Sequence, residues 1–241
     1  HKNLVKEKIQ LLCAHGKGNA GYSIILDALD HDRTILAYKG INDELKFKDV
    51  PFKKLKTRWF YFGAMMNESF NTLEKLAELA QKKKIKIAFN PSTYLAEKGK
   101  SYLKNILSRT ELLVLNKEEA CLLVGNDEMG GLLSKLKGLG PKIVVITDGK
   151  QTLYVTDEHH IYSAFPPPVK IVDATGAGDA FAASFLSGIL RKNDAEFAIK
   201  LGIANAQSVV KYFGAKNILL SYKEALKAAN SLRMKVKKKK I

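Results

Sequence analysis

The stretch DATGAGDAFAASFLSGIL, residues 173–190, decides how the rest of the chain is interpreted. It follows a β-like run and passes through Gly176 and Gly178 into an apolar run typical of a buried helix. Glycine weakens the beginning of a helix, so two of them at this junction indicate a backbone that a ligand approaches closely. The unpaired N–H groups of a first helical turn also favour an anion.

Asp179 directly follows the second glycine and belongs to the same predicted first turn. A phosphoryl group in transfer carries charge that such N–H groups can stabilise. A carboxylate beside it can accept the proton of an attacking hydroxyl. The residues alone leave a second interpretation open, because an acidic side chain is favourable at the positive end of any helix dipole.

The remainder of the chain alternates short apolar runs with amphipathic segments, which predicts an α/β fold with a largely parallel sheet. One domain over residues 1–241 is expected, since this length is ample for a single core. The pattern predicts strands over 59–65, 85–91, 111–116 and 142–149, a hairpin over 152–164, and helices over 71–84, 101–110, 117–125, 130–140, 194–214 and 222–235.

Residues 21–40 differ from this pattern because two β-rich runs surround a polar turn at 30–32 with no helix between them. Such a pair predicts a small antiparallel sheet beside the main domain, a position from which it could cover a site as a lid. An ordinary edge hairpin of the main sheet fits the pattern equally well.

The chain carries a net charge of +16, from 40 Lys and Arg against 24 Asp and Glu. This excess is compatible with nucleic-acid binding, with a lysine-rich surface or with an anionic substrate. The basic residues are not interleaved with aromatic ones, which disfavours nucleic-acid binding as the main function. The run KVKKKK, residues 235–240, is predicted to be a solvated, mobile tail.

Other sequence features narrow the class of protein. Cys13 and Cys121 lie far apart without metal-ligand spacing, and no secretory pattern opens the chain, so a reducing cytoplasm is expected. No apolar run approaches the ~20 residues of a membrane span. The sequence GKGNAG at 16–21 fits G-x-G-x-x-G, but a β-run follows it instead of a helix, so we reject a dinucleotide fingerprint.

Residues 173–190 resemble the C-terminal signature of the ribokinase-like carbohydrate kinases, often called the PfkB family. Three further segments resemble this family in the same order, and the resemblance spans at least residues 20–222. They are the N-x-x-E segment LVLNKEEACLLVG at 113–125, the nucleotide loop VVITDGKQT at 144–152, in which Thr152 replaces the last glycine, and the adenine-side segment GIANAQSVVKYFGA at 202–215.

The resemblance implies a three-layer α/β/α fold with a mainly parallel central sheet and a small β lid. It implies a kinase that transfers the γ-phosphoryl group of ATP, with Mg²⁺, to a hydroxyl of a sugar, a sugar acid or a nucleoside. In this chain Asp179 resembles the catalytic base, and the backbone of Gly176, Ala177 and Gly178 resembles the anion hole.

The other matching residues imply nucleotide and metal contacts. Asn116 and Glu119 resemble residues that organise Mg²⁺ and the phosphates, largely through water, although Glu119 alone could be a solvated helix charge. Asn205 matches a position near the adenine, although it could equally be an ordinary polar helix residue. The implied nucleotide contacts also include Thr147 and Gly149, and the implied monovalent cation site, which would take K⁺, includes Asp173 and Thr175.

Substrate contacts are less well defined by the sequence. Arg33, Asn42 and Asn90 are candidates, the first two because they lie in or beside the lid strands. A homodimer paired through the lid is also expected. The opening strand, acidic substrate residue and Gly-Gly motif of the family are not found in residues 1–20, so we expect the chain to enter the family pattern midway. A nucleoside kinase and a non-catalytic nucleotide- or sugar-binding sensor remain alternatives to a sugar kinase.

Overall fold

The central sheet has seven strands that lie side by side in chain order. The computed structural model describes residues 2–27 and 33–241. The central sheet consists of β3 Trp59–Phe62, β4 Lys86–Phe89, β5 Leu112–Asn116, β6 Ile143–Thr147, β7 Leu153–Thr156, β8 His160–Ala164 and β9 Val236–Lys240. Two further strands precede it in the chain, β1 Tyr22–Asp27 and β2 Arg33–Tyr38. The helices are α1 Lys2–Lys6, α2 Asn67–Lys83, α3 Ser92–Ala96, α4 Gly99–Leu107, α5 Lys117–Val124, α6 Met129–Lys137, α7 Ala177–Lys192, α8 Ala195–Val209 and α9 Tyr222–Ser231.

Strands β3 to β6 are parallel, and β6 to β9 are antiparallel. Each parallel pair is joined through at least one helix, as a parallel connection requires. The register sets Asn116 at the end of β5 opposite Thr147 at the end of β6. The carboxyl ends of the parallel strands therefore lie at the same end of the sheet, where α/β proteins bind their ligands.

The sheet is covered by helices on both faces, which explains why β5 is apolar throughout. One buried cluster joins the sheet to α2, α4, α5 and α6, and a second joins it to α7 and α8. The predicted three-layer α/β/α fold with a mainly parallel sheet is confirmed.

Helices α7 and α8 pack against each other at very short range. A Cβ on Gly188 would lie 2.6 Å from the Cα of Ala198, and a Cβ on Gly202 would lie 2.8 Å from the ring of Phe181. Only glycine leaves room for this approach. The contact fixes α7, the helix that follows the glycine-rich loop, along much of its length.

Strands β1 and β2 form a separate two-stranded antiparallel sheet rather than an edge of the central one, as the lid prediction requires. Their register runs from Tyr22 opposite Tyr38 to Asp27 opposite Arg33. The predicted polar turn at 30–32 lies outside the described residues. The loop at 16–21 leads into β1 and not into a helix, which is consistent with rejecting the dinucleotide fingerprint.

The prediction of a mobile tail over 235–240 was wrong, because Val236–Lys240 forms β9 and pairs with β8. Val236 packs against the cluster beneath α7 and α8, and the edge of β8 offers backbone partners for the residues that follow. Several predicted boundaries were also too long: β3 ends at Phe62, α8 at Val209 and α9 at Ser231. Cys13 and Cys121 are both free thiols.

Asp157 organises the turn between β7 and β8. Its Oδ1 accepts hydrogen bonds from the backbone N–H groups of His159 at 2.8 Å and His160 at 2.7 Å, and its Oδ2 accepts one from the Tyr162 hydroxyl at 3.0 Å. Partial burial acts to raise the pKa of Asp157, but these hydrogen bonds outweigh it and hold the pKa below its usual value of 3.8.

We expect Asp157→Asn to lower the free energy of unfolding at pH 7 by about 1 kcal/mol, because charged acceptors make the stronger hydrogen bonds. A folded-state pKa below the unfolded one gives stability that is present at neutral pH and is lost as the pH falls below 3.8. Urea denaturation at pH 7 and pH 3 tests this. The gap between wild type and variant should shrink at pH 3, and a gap that stays constant would contradict the assignment.

Candidate functional site

A cavity of about 690 Å³ opens where β6 ends and α7 begins. Four residues predicted for the site line it: Thr147, Gly149, Ala177 and Gly178. Lys150 adds a positive charge to the same wall. The remaining wall is largely apolar and comes from the start of β7, from the segment after β8, from α7, and from α8 with the residue after it. It includes Leu153, Phe165, Pro166, Pro167, Pro168, Val169, Ile171, Phe181, Ile203, Ala206 and Val210.

The two glycines of the loop have different structural reasons. Gly176 is the N-cap of α7 with φ of 81°, and a Cβ there would lie 2.2 Å from the carbonyl oxygen of Ala215. The fold itself therefore requires Gly176. Gly178 lies inside the first turn of α7, and a Cβ there would meet nothing within 4 Å. Packing does not explain Gly178, and its missing side chain leaves the backbone open to the cavity.

Asp179 occupies the first turn of α7, as predicted. Partial burial, together with the negative charge of Asp179, raises the pKa of Tyr61 on β3 to about 12. Tyr61 is 43% exposed, although it belongs to an apolar strand. Tyr61 was not among the predicted site residues, because WFYF has the pattern of a uniformly buried strand and only the phenolic oxygen distinguishes Tyr61 from its neighbours.

Asn116 and Glu119 are joined by a reciprocal capping box at the start of α5. The Asn116 side chain accepts from the Glu119 N–H at 2.8 Å, and the Glu119 carboxylate accepts from the Asn116 N–H at 2.9 Å. A second backbone hydrogen bond reaches Glu119 from Thr93. Glu119 is only 7% exposed, so the interpretation as a solvated helix charge was wrong.

Burial raises the pKa of Glu119, and Glu118 raises it further, while the two backbone hydrogen bonds lower it only in part. The pair therefore presents a buried carboxylate whose charge is incompletely compensated, beside an amide oxygen. Hard oxygen donors of this kind fit Mg²⁺ held mainly through water and phosphate.

Asp173 clamps two loops of the site together. Its Oδ1 accepts from the Thr175 N–H at 2.8 Å, and its Oδ2 accepts from the Gly214 N–H at 3.0 Å. These bonds hold the glycine-rich loop against residues 214–215, where Gly176 meets Ala215. The monovalent cation expected at Asp173 and Thr175 stays a prediction.

Asn205 is buried in α8 and does not line the cavity. Its Nδ2 donates to the Ser184 hydroxyl at 2.7 Å, and its Oδ1 accepts from the Leu220 N–H at 3.0 Å. These bonds tie α7, α8 and the segment before α9 together, and a contact with adenine stays a prediction. Nearby, Gln207 lines the cavity and donates to the Pro167 carbonyl at 2.6 Å. This link could not be predicted, since the proline run carries no recognisable motif.

Asn42 and Asn90, two of the candidate substrate residues, are not part of the cavity lining. Asn42 follows the lid, and its carbonyl accepts from the Ser69 hydroxyl at 2.6 Å. Asn90 follows β4, and its side chain accepts from the Ser92 N–H at 3.2 Å. The Ser92 hydroxyl is itself buried without a hydrogen-bond partner among the described residues. Arg33 opens β2, but its side chain lies outside the described part of the chain.

A three-layer α/β/α fold with a cavity at the carboxyl ends of its strands, beside an unhindered helix N-terminus, is typical of α/β proteins that bind nucleotides. Residues 3–221 match the family described as pfkB family carbohydrate kinase, and the chain belongs to this family. Curated relatives of the chain include kinases of nucleosides and of sugars. Among the described residues, no helix combines the length and apolar character needed to cross a membrane.

Curated relatives include kinases of both substrate classes. The chain is 38% identical over 179 residues to a cytidine kinase of Thermococcus kodakarensis, covering 73% of this chain and 63% of that protein. It is 26% identical over 205 residues to an uncharacterized sugar kinase of Archaeoglobus fulgidus, covering 83% and 80%. It is 26% identical over 209 residues to a nucleoside kinase of Methanothermobacter thermautotrophicus, covering 85% and 65%. The chain thus spans less than two thirds of the cytidine kinase.

Solved structures share the fold at lower identity. A ribokinase of Thermotoga maritima matches with a TM-score of 0.79 and 20% identity, over 95% of this chain and 76% of that one. A nucleoside kinase of Methanocaldococcus jannaschii matches with a TM-score of 0.75 and 20% identity, over 95% and 75%. A putative ribokinase II of E. coli in complex with ATP and Mg²⁺ matches with a TM-score of 0.74 and 19% identity, over 83% and 68%.

Proposed function

We propose that this protein transfers the γ-phosphoryl group of ATP to a hydroxyl of a nucleoside. The observation that carries the phosphoryl-transfer chemistry is the pair Gly178 and Asp179: an unhindered backbone that lines the cavity, followed at once by a carboxylate. The likeness to a cytidine kinase supports a nucleoside as the acceptor. A sugar is the second candidate, favoured by the likeness to a sugar kinase.

The cavity has two halves that suit different parts of a nucleotide. Its apolar half, which includes Pro166 to Pro168 and the side of α8, suits a base. Its other half has Thr147 and Gly149, the charge of Lys150 and the open backbone of Ala177 and Gly178, which suit phosphates.

The transfer step uses the first turn of α7. Asp179 takes the proton of the acceptor hydroxyl. The oxygen of that hydroxyl forms a bond to the γ-phosphorus as the bond from the γ-phosphorus to the β-phosphate oxygen breaks, and ADP leaves. The N–H groups of α7 stabilise the charge on the phosphoryl oxygens. Asn116 and Glu119 would hold Mg²⁺, which neutralises phosphate charge when bound.

An ADP-release assay on the intact protein tests the proposal with a panel of nucleosides, sugars and sugar acids at equal concentration. Turnover with cytidine or another nucleoside should exceed that with any sugar at least tenfold. The reverse order would establish the sugar as acceptor. Nucleotide binding without turnover on any member of the panel would contradict a kinase and support a non-catalytic sensor.

A monovalent cation at Asp173 and Thr175 is part of the same proposal, because these residues adjoin the glycine-rich loop. Turnover in KCl should then exceed turnover in choline chloride at equal ionic strength. Equal rates in both salts would exclude a functional K⁺ site.

We also propose that two copies of the chain pair through the lid. In the β1–β2 register one face carries large side chains that are all about half exposed: Tyr22, Ile24, Leu26, Leu36 and Tyr38. A two-stranded sheet is marginal by itself, so this face gains stability when a second copy covers it.

Replacing both Ile24 and Leu36 by lysine should convert a dimer into a monomer, because two like charges on this face cannot be buried in an interface. Sedimentation velocity measures the change in mass. Leu190→Lys is the matched control, since Leu190 is 43% exposed on α7. A wild type that sediments as a monomer at all concentrations would exclude the lid dimer.

A further inference from the structure

Four consecutive lysines, Lys237 to Lys240, form one edge of the central sheet. They belong to β9, in which Lys237 lies opposite Ser163 and Lys240 lies opposite His160. No described strand pairs with the other side of β9. All four lysines are exposed, and we call this segment the lysine strand. It is an ordered row of cations and not a flexible tail.

The pleat divides the row between the two faces of the sheet. Lys238 follows Val236 on the side of α7 and α8, and its ammonium group lies 5.5 Å from the centre of the Tyr162 ring. Lys237 and Lys239 point to the opposite side. Lysines on one face are therefore about 6.8 Å apart, and such a row of like charges repels itself unless an anion lies along it.

The acidic groups that act on Tyr162 are engaged elsewhere, and the Asp194 carboxylate accepts from the backbone N–H groups of Glu196 and Phe197. The Asp157 carboxylate accepts from two backbone N–H groups and from the Tyr162 hydroxyl. Glu196 pairs with Lys200 at 2.7 Å. Within residues 2–27 and 33–241, none of the four lysines forms an ion pair. Edge lysines also protect a sheet from unwanted pairing.

We propose that the lysine strand binds the phosphate backbone of a single-stranded nucleic acid. The lysines follow a single strand at the edge of the sheet, so they match a linear polyanion better than the plane of a lipid surface. No apolar side chain lies between the lysines to enter a membrane. The spacing on each face is comparable with that between neighbouring phosphates of an extended strand, and the net charge of +16 attracts such a polymer.

This binding surface is separate from the kinase site. The lysine strand runs away from the cavity, because Val236 lies opposite Ala164, beside the cavity residue Phe165, while Lys240 lies at the other end of β8. Nucleic-acid binding and phosphoryl transfer should therefore be lost independently.

Fluorescence anisotropy with a labelled twenty-nucleotide oligouridine tests the proposal on the intact protein. The test variant replaces all four lysines of the lysine strand by glutamine. The control variant removes the same charge elsewhere, at the exposed residues Lys53, Lys54, Lys82 and Lys83. We expect at least a tenfold loss of affinity for the test variant and less than threefold for the control, with turnover unchanged in both.

The salt dependence distinguishes local contacts from net charge. Each lost phosphate contact should reduce the slope of log K against log salt by about 0.7. Replacing the four lysines by arginine should keep both the affinity and the slope. This result would show that the positive charges bind the oligonucleotide and that the strand alone is not sufficient. Equal losses in the test and control variants would overturn the proposal. Binding to anionic vesicles without binding to oligouridine would overturn it as well.

Discussion

Asp179→Asn should reduce turnover by about 10³-fold while the affinity for ATP stays within about twofold of wild type. The amide has nearly the shape of the carboxylate but cannot accept the proton of the acceptor hydroxyl. Because Asp179 is exposed within the first turn of α7, the exchange should not disturb the packing beneath it. Steady-state turnover and nucleotide titration by fluorescence measure the two effects separately.

Glu118→Gln is a matched control for this experiment. Glu118 is also an exposed acidic residue in the first turn of a helix, α5, so its exchange removes the same charge close to the carboxyl end of β5. It should retain turnover within a few-fold. If Asp179→Asn kept near-normal turnover, the carboxylate would serve only the helix dipole, and the proposed base would be wrong.

Gly178→Ala should separate stability from function. A Cβ at this position meets nothing within 4 Å, and alanine is the better helix former by up to about 1 kcal/mol. The variant should therefore be as stable as wild type or more so. Its methyl group, however, would enter the space where the phosphoryl group is proposed to lie, so turnover should fall by about 10²-fold or more.

Gly176→Ala is the natural companion to this variant. Its Cβ would clash with the carbonyl oxygen of Ala215, and its φ of 81° is strained for alanine. It should lose stability in urea denaturation, in the opposite direction to Gly178→Ala. A Gly178→Ala protein with full turnover would contradict the anion hole, while a loss of both stability and turnover would mean that Gly178 serves the fold.

The order of strands and helices could be predicted from the sequence because apolar periodicity reports which faces are buried. The glycine-rich loop and Asp179 could be found because their residue types conflict with good helix formation. The cavity wall at 165–168 could not, since prolines after a strand also fit an ordinary loop. Tyr61 was hidden for a similar reason, because its neighbours in β3 and its own ring are apolar.

The lysine strand shows where local rules fail. Like charges in sequence predict a solvated tail, but pairing to β8 and the anchoring of Val236 outweigh their repulsion. The N-x-x-E segment shows the opposite case. Asn116 and Glu119 have the spacing of a capping box, so their mutual hydrogen bonds were predictable from the sequence alone, whereas the burial of Glu119 was not.

The glycine contact between α7 and α8 gives the proposed catalytic end of α7 a remote point of adjustment. Gly188 lies nine residues beyond Asp179, about 14 Å along the helix. A larger residue at Gly188 would have to push α7 away from α8, and a stiff helix transmits such a shift to its other end. Since small misplacements of reacting groups slow chemistry severely, the rate of the proposed phosphoryl transfer is open to tuning by changes that never touch a ligand.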